Sequence, residues 1–167
     1  MLQPTVRRTW APKGETPLQR QWERHDRLSV ISAITVAPCR RRFGLYWRIQ
    51  DGNIHGEDVV RFLQLVRRSL RRKIVVILDR GKVHKATVVR NYVQHHSHNI
   101  RLEELPPYAP DLNPTEQVWN HTKYADLPNL APDDLQQLDF LVRSSLSSTR
   151  GQSRLLRSFF DLAGLPP

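Results

Sequence analysis

Leu105-Pro106-Pro107-Tyr108-Ala109-Pro110-Asp111-Leu112-Asn113-Pro114-Thr115-Glu116-Gln117-Val118-Trp119 is the stretch on which the reading of this chain turns. Four prolines between positions 106 and 114 make it rigid and non-helical up to Asn113, because each proline fixes φ and removes an N–H donor. Asn113 can cap the helix that follows and Pro114 suits its first position, so a helix is predicted from Asn113 to about Tyr124. Glu116 stands three residues after the cap, where a capping-box carboxylate reaches back to the cap's own N–H. That is one reading of Glu116. The other is that a helix start held this rigidly aims its carboxylate into a fixed place.

Upstream, Ile74–Leu78 (IVVIL) is an unbroken β-branched run, the pattern of a strand covered on both faces. Asp79-Arg80-Gly81 ends it. His84–His95 reads as a helix with Val88, Val89 and Tyr92 inward, and Ile100–Leu105 as a short strand. Leu28–Ala37 and Phe43–Ile49 are strands joined by the turn Pro38–Arg42. From Gly56 to Arg71, Val59, Phe62, Leu63, Val66 and Leu70 recur at helical spacing. The last turn of that helix, Arg67, Arg68, Arg71 and Arg72, suits the negative end of a helix dipole. Arg7 to Arg24, with Pro12, Gly14 and Pro17, reads as an extended arm or loop. Downstream, Asp133–Leu146 and Ser153–Leu162 are helices separated by the Ser/Gly-rich Ser147–Ser153. The order hairpin, helix, strand, helix, strand, helix gives an α/β fold with a mixed sheet, antiparallel first and crossover strands after.

Composition bounds the function. The 167 residues suffice for one domain with a real core. One cysteine, Cys39, excludes a disulfide framework and a four-cysteine zinc site. The sequence holds no apolar run long enough to span a membrane and no charged-then-apolar leader, so a cytoplasmic protein is expected. Lys and Arg number 26 against 16 Asp and Glu, a net charge of +10. Residues 1–73 carry the whole excess, with 16 basic and 6 acidic side chains. Such asymmetry suits a polyanion, because fixed cations displace counterions from a phosphate backbone. An arginine-rich genome filling solvated positions with arginine would leave the same balance.

In open α/β sheets, ligands gather beyond the carboxyl ends of the strands, and Asp79 lies at that end of the most apolar strand. Asp-Arg-Gly could equally do no more than turn the chain, and His84 could be a solvated or capping histidine.

The proline-rich stretch resembles the signature of mariner-type DDE transposases of bacterial insertion sequences. The strand ending in Asp79, with His84 after it, is similar to that family's second block, and Asp79 and Glu116 lie 37 positions apart, within the family's range. Arg7-Arg8-Thr9-Trp10-Ala11-Pro12-Lys13-Gly14 resembles the Thr-Trp-Ala-Pro-(Arg/Lys)-Gly stretch found after the family's first catalytic strand. The resemblance runs from Pro4 to about Lys123. It implies a ribonuclease-H-like, integrase-type mixed sheet flanked by helices over residues 1–124, with a helical tail over 125–167.

It further implies a DDE endonuclease whose three carboxylates hold Mg²⁺ (or Mn²⁺), cut DNA and join the freed 3′-hydroxyl to a target. Asp79 and Glu116 are then the second and third metal ligands and catalytic residues. Arg7, Arg8, Trp10, Lys13, Arg80, Lys82, His84 and Lys85 are DNA-contacting candidates, and Pro107, Tyr108, Pro110, Asn113, Pro114 and Trp119 shape the motif. The partners implied are transposon-end and target DNA, with a homodimer or the product of an upstream reading frame as protein partner, and no membrane.

Three departures qualify this. The family's first Asp, on its central strand ahead of the segment matching Pro4–Gly14, has no counterpart: Asp26 precedes the hairpin and Asp51 follows it. The helix-turn-helix region that normally comes first is absent, and Arg80 stands where Asn is commoner. The expectation is therefore a sheet lacking its first central strand and a chain inactive by itself, either a truncated remnant or the second frame of a split element. A non-catalytic DNA-binding or regulatory module and a product that never folds well are the competing readings.

Overall fold

The computed structural model describes residues 11–14, 28–128, 132 and 134–165. The arm Arg7–Arg24 thus lies almost wholly outside the described residues.

Strands β1 (Leu28–Val36) and β2 (Phe43–Asp51) pair antiparallel from Leu28 opposite Asp51 to Val36 opposite Phe43. The turn between them closes through Arg40, whose N–H donates to the Ala37 carbonyl at 2.7 Å and whose φ is 53°. Helix α1 (Gly56–Leu70) follows, then β3 (Ile74–Leu78), a single 3-10 turn at Lys82–Lys85, α2 (Thr87–His95) and β4 (Ile100–Glu104). β3 and β4 pair parallel, Ile74 opposite Ile100, with the crossover running through α2. The chain ends in α3 (Pro114–His121), α4 (Leu135–Gly151) and α5 (Ser153–Leu162).

Among the described residues the four strands form two separate two-stranded sheets, β1–β2 and β3–β4. Each has its own core. Leu28, Leu45 and Ile49 of the hairpin pack with Val118 of α3, Val142 and Leu146 of α4, and Leu156 and Phe159 of α5. Leu45, Leu146 and Leu156 are fully buried, each worth about 1.5–3 kcal/mol of transfer free energy. The second core is smaller: Val59 and Leu63 of α1 with Val89 of α2, flanked by Val76 of β3 and Ile31 of β1. Gly56 lets the starts of α1 and α2 approach closely, for a Cβ there would lie 2.7 Å from the Ala86 Cβ.

Several expectations needed correction. The apolar run Ile74–Leu78 is covered on one face only. Val76 packs toward α1 and α2, while Val75 and Ile77 are 63% and 58% exposed, because the alternating pleat sends their side chains to the opposite face. Ser147–Ser153 does not separate two helices. α4 continues to Gly151, because Val142, Ser145, Leu146 and Thr149 form one buried stripe, and that packing outweighs the modest helix penalty of serine and glycine. The helix expected from His84 starts at Thr87, after extended backbone at Ala86. α3 passes at Thr122–Asp126 into a π-helical turn, where the Ser145 hydroxyl donates to Asp126 Oδ2 at 2.6 Å.

Candidate functional site

β3 delivers Asp79 to its carboxyl end, and the next residues close around that carboxylate. The Gly81 N–H donates to Asp79 Oδ1 at 2.9 Å, the Asx-type turn that an aspartate two residues back can form. His84 Nε2 lies 3.3 Å from the same oxygen. A Cβ on Gly81 would sit 2.9 Å from Asp79 Oδ1 and 3.3 Å from His84 Cδ2. Glycine permits this close approach without displacing the Asp79 carboxylate, its φ of −55° being ordinary. β3 ends at Leu78, immediately before Asp79-Arg80-Gly81, as expected from the sequence.

His84 is largely buried, and burial pushes its pKa below the usual histidine value, against a smaller upward pull from Asp79. A neutral imidazole follows at physiological pH, with Nε2 on the Asp79 side. His84 Nδ1 is buried and has no hydrogen-bond partner among the described residues. Asp79 itself is about half exposed, at 53%, and its Oδ2 has no hydrogen-bond partner among the described residues.

Arg80 braces the strand ends. Its Nε donates to the Leu105 carbonyl at 3.1 Å and pairs with Glu104 Oε2 at 3.2 Å, while the Leu105 N–H extends the ladder to the Leu78 carbonyl at 2.8 Å. Lys82 and Lys85 are exposed on the 3-10 turn beside Asp79. Lys13 is exposed, and Arg7, Arg8 and Trp10 lie outside the described residues.

Glu116 comes from the first turn of α3. Asn113 caps that helix, but its Oδ1 accepts from the Thr115 N–H at 3.1 Å, and among the described residues the Glu116 carboxylate makes no return bond. Glu116 is half-buried and without an ion-pair or hydrogen-bond partner among the described residues. Pro114 takes the first helical position as expected. Tyr108 is fully exposed with φ 57°, a left-handed conformation uncommon for a bulky side chain. Pro110 opens a short 3-10 turn, and Pro107 stands in the turn before it. Trp119 packs against the hairpin-side core, beside fully buried Val118.

The two carboxylates thus stand on different halves, Asp79 after β3 and Glu116 on the helix that packs with the hairpin. Both are hard oxygen donors of the type Mg²⁺ and Mn²⁺ prefer. Among the described residues no three His, Cys, Asp or Glu side chains come together to hold a metal ion, so the donor set fits in kind but is incomplete in number. No helix among the described residues is long and apolar enough to cross a membrane.

The family model of the DDE superfamily endonucleases matches residues 1–139. Among solved structures, the Mos1 strand transfer complex is similar with a TM-score of 0.63 at 12% identity, over 99% of this chain and 48% of that one. The Mos1 mariner paired-end complex with Mn gives 0.63 at 13% identity, over 99% and 49%. The Mos1 transposase catalytic domain with raltegravir and Mg gives 0.57 at 12% identity, over 83% and 77%. The chain spans about half the length of the first two. No curated protein matches its sequence. The likeness establishes a mixed α/β fold similar to the ribonuclease-H-like catalytic domain of that transposase.

Proposed function

The chain belongs to the DDE superfamily endonucleases, and from that premise we propose that it is the larger part of a mariner-type transposase catalytic domain from a bacterial insertion sequence, acting on DNA. The observation that carries this reading is Asp79 at the carboxyl end of β3, with one oxygen clasped by Gly81 and His84. In this reading Asp79 and Glu116 are metal ligands. A bound Mg²⁺ or Mn²⁺ supplies Lewis-acid stabilisation of the attacking and leaving oxygens of a phosphodiester.

The chain's own residues do the rest. Gly81 and neutral His84 hold Asp79 Oδ1, leaving Oδ2 for the cation. Arg80 fixes the β3 and β4 ends against each other, and so contributes more to positioning than to phosphate binding. Lys82 and Lys85 meet the DNA backbone beside the site, contacts that position without reading sequence. A two-ion centre needs a bridging carboxylate besides these two, so we propose that the described residues are inactive alone. A second reading, a DNA-binding or regulatory module without chemistry, draws on the same shortage of ligands. The missing carboxylate would come from the product of an upstream reading frame, and a second copy of the chain would be a partner on the DNA and not its source.

The test is DNA strand cleavage by the chain joined to a segment that supplies the third carboxylate. Cleavage that requires Mg²⁺ and disappears in Asp79→Ala and in Glu116→Ala is expected. Retained cleavage in either variant overturns the assignment, and an inactive joined protein that still binds DNA leaves the second reading in place.

A further inference from the structure

At the opposite end of β3 from Asp79, helix α1 stops at Arg71, whose backbone is left-handed with φ 50° and whose N–H donates to the Arg67 carbonyl at 2.9 Å. This reversal gathers Arg67, Arg68, Arg71, Arg72 and Lys73 around one cleft, with Asn99 from the turn before β4 completing the lining. The Ile74 N–H donates to the Asn99 carbonyl at 2.8 Å, so the two walls are tied together.

Five cations within seven positions exceed what a helix end requires. One or two charges in the last turn complement the dipole, each worth about 0.3–1 kcal/mol, and additional like charges repel one another. None of the five has an ion-pair partner among the described residues, whereas Arg61, on the same helix, pairs with Asp58 at 3.0 Å. The Arg67 Nε is buried and has no hydrogen-bond partner among the described residues. Unsatisfied donors and uncompensated positive charge in one concave place ask for an anion rich in acceptor oxygens, and the planar guanidinium fork suits phosphate.

We infer that this cleft is a second phosphate-binding site, distinct from the Asp79 site, that holds the sugar-phosphate backbone of duplex DNA. The inference rests on the reading of DNA as the partner. Lys73 and Asp79 are separated by the length of β3, about 20 Å at the rise of a strand, equivalent to about six base pairs of duplex. A duplex seated here would be gripped at a point remote from any bond cut beside Asp79, giving affinity without sequence choice. Residues 1–73 carry the chain's whole charge excess, and these arginines are its densest run.

The experiment measures binding of a labelled random-sequence duplex in EDTA between about 50 and 200 mM salt, so that metal chemistry plays no part. Arg68 and Arg72 are exposed and outside the catalytic set. R68Q/R72Q should lower the slope of log affinity against log salt by about two, roughly 0.9 per lost phosphate contact. The control R154Q/R157Q removes the same charge from exposed positions of α5 and should leave the slope nearly unchanged. R68K/R72K should retain most of the slope, which separates lost charge from lost fold. Equal losses in the two Gln variants, no loss in either, or no salt-dependent binding by the unaltered chain each overturn the inference. The cleft is read by metal-free binding and the Asp79 site by Mg²⁺-dependent cleavage, so a failed cleavage assay and a failed cleft remain distinguishable.

Discussion

The half built on β1 and β2 and the half built on β3 and β4 use the same kinds of apolar side chain to different ends. The first closes its strands against three helices and buries eight apolar residues in one cluster. The second packs a short parallel pair against two helices, buries three in its cluster with Phe62, Val66 and Ile100 buried outside it, and leaves Val75 and Ile77 facing outward. Asp79, His84, Lys82, Lys85 and the arginine cleft all belong to this second half. Apolar packing is densest in one half, and the proposed site residues lie mostly in the other, with Glu116 the exception: α3 carries it on the well-packed side.

The sharpest way to break this contrast is to compare one buried leucine with one exposed isoleucine. Leu146→Ala should cost about 2–5 kcal/mol, as large-to-small changes in packed cores do. Ile77→Ala, at an exposed position on β3, should stay within about 0.5 kcal/mol. Equal losses in chemical denaturation would mean that the outer face of β3 is as well covered as the hairpin core.

A smaller effect tests how the halves are joined. Asp58 on α1 is buried; its Oδ2 accepts from Gln50 Nε2 on β2 and from the His55 N–H, each at 3.0 Å. Those bonds, the His55 N–H first, hold its carboxyl below the usual carboxylate value, with Arg61 and Arg48 assisting against the opposing effect of burial. A carboxylate with a lowered folded-state pKa contributes stability that is complete above its unfolded value near 4 and is lost as pH falls through the folded value. Thermal melts from about pH 5 to pH 3 should therefore show a loss in the native chain that Asp58→Asn reduces. At pH 7 the substitution should cost on the order of 1 kcal/mol. An unchanged acid profile in the variant would remove Asp58 as the tie.

Much of this architecture is legible in the sequence, for a reason visible in particular elements. β2, α1 and α5 each carry a clean period, of two or of 3.6 residues, while β1 and β3 are short β-branched runs, and their bounds fall where charge, Gly or Pro interrupts them. α4 is less legible, because Ser145 and Thr149 are buried polar residues within its apolar stripe, a pattern set by tertiary packing. The exposed face of β3 is invisible to any periodicity, since an unbroken run such as Ile74–Leu78 cannot tell which side is covered. Asp79 stood out by its position after a strand and Glu116 by its place in the proline-rich motif. The approach of Gly81 and His84 to Asp79 Oδ1, and the Asn99 wall of the arginine cleft, depend on distances across turns that spacing alone does not reveal.

The central claim is that Asp79 and Glu116, one from each half, serve one divalent cation. Titration of the chain with Mn²⁺, followed by electron paramagnetic resonance, tests it most directly. The account predicts weak binding of one ion, reduced at least about tenfold by Asp79→Asn and equally by Glu116→Gln, since each removes one of two charged hard-oxygen ligands. Asp111→Asn, in the same motif but on the exposed 3-10 turn, should bind as the native chain does. Equal Mn²⁺ affinity in all four proteins would contradict the account.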